Sequence, residues 1–224
     1  MITIAVVNTK GGVGKTTISA LLAVEAAKES GRVAMVDLDP QKSLAEWWKR
    51  RGSTDNPTIE QGNYAQEAVE ALAAKGFDWA FLDSPPAFIE TVRDCVECAD
   101  LAVIPLKPSM LDLVATQDAV MLAREASTPF LCVLNDVGPK ERESVEKSSR
   151  NMLFTYTIPI ADTTLIHRVP HVTGMTVGKS ASEVNQGRDR KAVAEITSLW
   201  QEVKATAIKA ANIRAPRERV ASNG

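Results

Sequence analysis

Short apolar runs alternate along this chain with longer amphipathic stretches, and that alternation predicts most of its architecture. Nearly continuous apolar segments at 2–7, 33–37, 79–83, 101–105, 130–135 and 154–158 predict strands. The intervening segments 15–30, 41–51, 64–75, 87–98, 111–126 and 139–151 carry helical periodicity or helix-forming composition, and a last long helix is expected from about 188 to 211. Strands that are apolar on both sides must be covered on both faces, and strand–helix alternation supplies that cover around a parallel sheet. The predicted fold is therefore a single α/β domain with a mainly parallel twisted sheet flanked by helices on both faces. The polar stretch 52–57 reads as a loop within that domain, and there is no internal repeat.

Sheets of this class bind ligands at the carboxyl ends of their strands, and the residues with chemistry fall there. The first strand leads into Lys10-Gly11-Gly12-Val13-Gly14-Lys15-Thr16-Thr17, after which a helix begins. Strand, glycine-rich loop and helix in that order form a nucleotide-phosphate cradle. Glycines let backbone N–H groups approach phosphate oxygens, and the helix start adds unsatisfied N–H groups and the positive end of its dipole. Lys15 is expected to neutralise β/γ-phosphate charge and Thr16 to hold Mg²⁺. The strict pattern has glycine six residues before the lysine, where this chain has Thr9. Lys10 is a further cation that such a loop does not need. It is either a solvated lysine adding diffuse charge or a second catalytic cation.

Two acidic motifs follow. Asp37 and Asp39 close the second strand within Asp37-Leu38-Asp39-Pro40-Gln41, and their spacing points both side chains the same way. Carboxylates so close repel unless a cation relieves them; the alternative is a helix cap plus a surface acid. Asp83 ends another buried strand in Asp83-Ser84-Pro85-Pro86, a place suited to holding Mg²⁺ through water.

Taken together, these motifs resemble those of the ParA/MinD family of deviant Walker A ATPases: the loop with its extra lysine, the Asp-x-Asp-Pro-Gln and the Asp-x-Pro-Pro. The segment 102–109 is similar to the family's strand-end segment. The likeness runs in order over most of 1–200 and is specific through about 110. It implies a P-loop NTPase that hydrolyses ATP with Mg²⁺, slowly and under stimulation by a partner. It assigns Lys10, Lys15 and Asp39 to catalysis, with Lys10 reaching the partner subunit's nucleotide and Asp39 orienting water. It places Asp37 and Asp83 with Thr16 around the metal. With no DNA-binding domain before the loop, the chain is most similar to short plasmid-type ParA proteins. That implies an ATP-bound homodimer, nonspecific DNA binding, a ParB-like or other cargo-bound adaptor, and segregation of plasmid or chromosomal DNA. Positioning of a non-DNA cargo, such as a chemosensory cluster or microcompartment, is the alternative.

Composition narrows the picture further. A net charge of −2 excludes a uniformly basic nucleic-acid binder, so DNA contact requires a local patch. From Lys204 onward there are five cations against one anion, Glu218, and Arg168, Lys179, Arg188, Arg190 and Lys191 precede them. With Lys204 and Lys209, these are the candidate phosphate contacts, with a solvated surface as the plainer alternative. The apolar side of the last helix is mostly alanine, which argues against membrane anchoring. Without a signal peptide, three cysteines fit a reducing cytoplasm, and a DNA-coating role places the protein at the nucleoid. Cys95 and Cys98 read as small side chains of a packed helix, and Pro170 between His167 and His171 argues against a zinc helix. The ATPase domain is expected to span 1–212, followed by a flexible basic tail over 213–224.

Overall fold

The computed structural model describes residues 1–29, 31–140, 142–184 and 189–221. Its elements alternate as β1 (Ile2–Val6), α1 (Lys15–Glu29), β2 (Val33–Asp37), α2 (Ser43–Arg50), β3 (Thr58–Gln61), α3 (Ala65–Ala74), β4 (Trp79–Asp83), α4 (Ile89–Cys98), β5 (Leu101–Leu106), α5 (Met110–Glu125) and β6 (Phe130–Leu134). Four helices follow: α6 (Arg142–Thr155), α7 (Val169–Val177), α8 (Ala181–Val184) and α9 (Arg190–Ala221). Among the described residues the strands form one six-stranded sheet in the order β3-β2-β4-β1-β5-β6, parallel throughout. The predicted P-loop α/β fold is the observed one.

Every residue of β2, β4 and β5 is buried, as strands covered on both faces must be. Alternation divides the core in two. Ala5, Val36 and Leu82 join the layer under α3, α4 and α5, while Ile4, Met35 and Phe81 join the layer under α1, α2 and α9. In the second layer Trp200 of α9 meets the ring of Trp79 edge-on, with centroids 5.0 Å apart. The long last helix is thereby bound to the middle of the sheet.

Four elements depart from the sequence expectation. β3 lies at the sheet edge and pairs only with β2; its Thr-Ile-Glu-Gln is half exposed, so no apolar run announces it. The strand expected at 154–158 is absent, because α6 continues through Thr155 and leaves Phe154 85% exposed. The pairing with β6 comes later, where Cys132 N donates to Pro159 O and Ala161 N to Cys132 O. Helix α7 was unexpected because it carries Pro170 in its first turn and Gly174 inside. Pro170 fits where no intrahelical N–H partner is needed. Gly174 is required by packing: a Cβ there would lie 2.5 Å from Lys179 O. At the carboxyl end, α9 passes its expected end near 211 and runs to Ala221.

Candidate functional site

The register aligns the three loops that carry the chemistry. Val6 pairs with Asp83 across β1 and β4, and Asp37 pairs with the same Asp83 across β2 and β4. The loop after β1 therefore opens beside both carboxylates. Gly12 and Gly14 take φ values of 75° and 98°, a region that side chains resist. At Gly14 any Cβ would lie 2.2 Å from Asn135 Nδ2, whereas at Gly12 it would meet nothing within 4 Å. So one glycine is closed against the protein and the other faces open space suited to a ligand.

The loop is braced from three sides. Asn8 Oδ1 accepts from Lys10 N at 2.9 Å while its Nδ2 donates to Pro105 O at 2.9 Å. Asn135 Nδ2 donates to Val13 O at 2.8 Å, and Ala87 N to Thr9 O at 2.9 Å. Lys15 Nζ folds back onto Lys10 O at 3.0 Å, a ring of loop, lysine and carbonyl that faces the helix start. Burial lowers the Lys15 pKa, opposed by Asp83 and Asp39. A cation held without a carboxylate partner at hydrogen-bond distance is poised for an anion.

The three aspartates are unequal. Asp37 is fully buried, with Oδ1 accepting from Asp39 N at 3.1 Å and Oδ2 from Ala45 N at 2.9 Å. Each oxygen thus takes one backbone amide, and Asp37, expected in the metal surroundings, also pins α2 to the end of β2. Burial raises its pKa against those amide bonds. Asp39 Oδ1 accepts from Gln41 N at 2.9 Å and its side chain remains partly exposed. Asp83 is fully buried, takes one hydroxyl, Ser19 Oγ, at 3.2 Å on Oδ1, and has an unpartnered Oδ2. Burial is the main reason its pKa rises to about 7; the Thr16 hydroxyl pulls it down and Asp37 pushes it up. An orphaned buried oxygen close to a threonine hydroxyl and a lysine fits a divalent cation held by Asp83 and Thr16.

Beside the loop lies a cleft of ≈ 520 Å³. Gly12, Gly14 and Thr17 line its end at the glycine-rich loop, and Asn135, Ile166, His167, His171 and Met175 are among the residues that line the rest. Apolar walls with a few polar groups suit a nucleoside. Asp136 sits at the rim between Lys107 Nζ (2.8 Å) and His167 Nδ1 (2.5 Å). Burial opposes its ionisation, but Lys107 and His167 outweigh that and hold its pKa below the usual range. Sequence reasoning missed this wall. Asn135 offered the one legible signal, a polar residue at the carboxyl end of an apolar strand.

Lys10 is 36% exposed at its side chain and lies against a carboxylate of α5 rather than over its own loop. The candidate phosphate contacts scatter. Lys179, Arg190, Lys191 and Lys209 are exposed; Lys204 pairs with Glu29 at 2.5 Å. Arg168 is a cleft residue whose guanidinium grips Glu195, not a free surface cation. Arg188 lies outside the described residues. Cys95 is buried in α4 as expected, and no cluster of metal-ligating side chains occurs among the described residues. Nor is any described helix long and apolar enough to cross a membrane.

Comparison with known proteins agrees with this geometry. The family profile described as the CobQ/CobB/MinD/ParA nucleotide binding domain matches residues 4–180. The chain is 29% identical over 211 residues to the maintenance of carboxysome distribution protein A of Halothiobacillus neapolitanus, covering 90% of this chain and 95% of that one. It is 36% identical over 158 residues to the protein of the same name from Gloeobacter kilaueensis, covering 66% of this chain and 69% of that one. Among solved structures, the MinD cell division protein of Aquifex aeolicus superposes with a TM-score of 0.74 at 15% identity, over 92% of this chain and 98% of that one.

Proposed function

We propose that this chain, which belongs to the CobQ/CobB/MinD/ParA nucleotide binding domain family, is an ATP-driven positioning protein whose cargo is a protein body such as a microcompartment. The observation that carries the cargo is the end-to-end likeness to a carboxysome distribution protein, over 90% of this chain and 95% of the relative. Segregation of plasmid or chromosomal DNA, the expectation from the motifs alone, becomes the second reading. It uses the same switch with a different adaptor.

In this reading Lys15 and the backbone of residues 11–17 receive the β- and γ-phosphates, and the cleft holds adenosine. Asn135, whose Nδ2 is committed to Val13 O, keeps its Oδ1 to accept from an exocyclic amine. Mg²⁺ at Asp83 and Thr16 would draw charge from the phosphate oxygens as the terminal bond breaks. Asp39, partly exposed at the rim, orients the attacking water. Lys10 serves a second copy of the chain, placing a cation on that copy's phosphates. Phe88 and Ile89, which follow the Asp83–Pro86 loop, are 56% and 53% exposed and would be covered in that pairing. Lys179, Arg190, Lys191 and Lys209 supply nonspecific phosphate contacts to nucleoid DNA, the track, and a cargo-bound adaptor stimulates hydrolysis.

Deleting the gene in its host and imaging both cargoes tests the assignment. Clumped microcompartments with normal plasmid retention are expected. Evenly spaced compartments with plasmid loss would transfer the assignment to DNA segregation.

A further inference from the structure

We infer that α9 reports nucleotide occupancy to the protein surface, with Glu195 and Glu202 as its positioning residues; this rests on reading the cleft as a nucleotide site. The two carboxylates are seven residues apart, two turns of one helix, and so share a face. Glu195 accepts from Arg168 Nε at 2.9 Å and Nη2 at 2.6 Å, and from Ile166 N at 3.4 Å. Glu202 accepts from Asp162 N at 2.7 Å, from Thr163 N at 2.9 Å and from the Thr163 hydroxyl.

Residues 162–168 thus hang between two supports. On one side Leu165 N donates to Leu134 O and His167 N to Val137 O, at the end of β6. On the other side stand the α9 carboxylates. This same segment supplies Leu165, Ile166, His167 and Arg168 to the wall of the cleft. The Arg168 and Glu195 side chains are only 17% and 12% exposed, so their two-pronged charge-assisted contact is shielded from salt. Elsewhere on α9, Arg190, Lys191 and Lys209 are exposed, while Ile196, Leu199, Trp200 and Val203 are seated in the core. A nucleoside that orders the 165–168 wall orders, through Glu195 and Glu202, the first half of the helix that carries those cations. Coupling of this kind is reciprocal, so a ligand gripping α9 tightens the cleft by the same factor.

Amide hydrogen exchange with and without Mg²⁺-ATP tests this on the intact protein. In the wild type, nucleotide should slow exchange at 10–17, at 162–168 and at 190–204 together. In the isosteric E195Q/E202Q variant the slowing at 10–17 should persist while that at 190–204 disappears. An α9 indifferent to nucleotide in the wild type, or equally responsive in the variant, overturns the inference. Absence of slowing at 10–17 as well would instead remove the nucleotide reading of the cleft, and the inference with it. DNA affinity measured in parallel should lose its dependence on ATP in the variant. DNA binding that ignores ATP already in the wild type, with the exchange pattern intact, would sink the DNA contacts while leaving the coupling in place.

Discussion

The ammonium of Lys10 lies 2.5 Å from Oδ1 of Asp112, a carboxylate in the first turn of α5 of the same chain. The contact is a charge pair rather than an aligned hydrogen bond. Asp112 is 8% exposed, and its backbone N–H is capped by Ser109 Oγ at 3.1 Å, so the carboxylate is a fixed post. A lysine destined for another subunit's phosphates must first leave it.

From this follows a split between two variants. Lys10→Ala should lower ATP turnover by about 10²–10³-fold, the usual loss when a cation or donor on developing charge is removed. Nucleotide affinity should stay within a few-fold. Asp112→Asn should release Lys10 and raise the fraction of ATP-dependent dimer seen by light scattering. Wild-type turnover in Lys10→Ala would end the idea that the lysine acts on chemistry.

The unequal aspartates predict opposite outcomes for two conservative changes. Asp37→Asn puts an NH₂ where an amide N–H now donates, leaving a buried donor unpaired at a cost of about 1–3 kcal/mol. It should lower the melting temperature and reduce turnover only as far as the fold loosens. Asp83→Asn removes a buried charge whose pKa is already pushed up to about 7. It should melt no lower than wild type yet lose Mg²⁺-dependent hydrolysis. Thermal melts and steady-state kinetics on the pair separate the roles, and equal melting of the two would argue against them.

Asn135 offers a test of the cleft. Asn135→Ala removes the side-chain brace on Val13 O and should raise the Kd for ATP by about tenfold, equivalent to a lost hydrogen bond of about 1.4 kcal/mol. Fluorescent-nucleotide titration measures it. An unchanged Kd would show that the loop holds its shape without β6.

Glu183 predicts an acid-dependent stability. Both its oxygens take Arg51, at 2.6 and 2.7 Å, and Oε2 also accepts from Ser180 N at 2.7 Å, tying α8 to α2. Burial works against ionisation here, but Arg51 and the Ser180 amide outweigh it and depress the pKa. A depressed carboxylate contributes stability that is complete above its unfolded pKa of about 4.3 and is lost as pH falls through the lower folded value. Urea midpoints between pH 6 and pH 3 should therefore drop more steeply in wild type than in Glu183→Gln. Parallel curves would refute this contribution.

What the sequence revealed and concealed follows from the range of the interactions involved. Lys10–Thr17, Asp37, Asp39 and Asp83 were legible because each motif lies next to a strand end, and the parallel sheet brings strand ends together. The wall of the cleft was not. His167 and Arg168 reach the cleft through backbone bonds to β6 and side chains of α9, contacts between segments that no local pattern links. Arg168 shows the cost of counting charges alone: as one basic residue among several it suggested DNA, whereas Glu195 holds it inside. Asp37 has a role its spacing did not show, since its two oxygens accept from the amides of Asp39 and Ala45.

The hydrogen bond from Asn135 to Val13, with Gly14 closed against the same side chain, joins positions 122 apart in the chain. The glycine-rich loop is made well before its supports, because its brace arrives with β6 and its cleft wall is fastened only when α9 packs. A growing chain therefore displays the glycine-rich motif long before it can retain a nucleotide. The loop's geometry is completed by the later half of the fold, and a chain that lacks β6 and α9 carries the motif without its support.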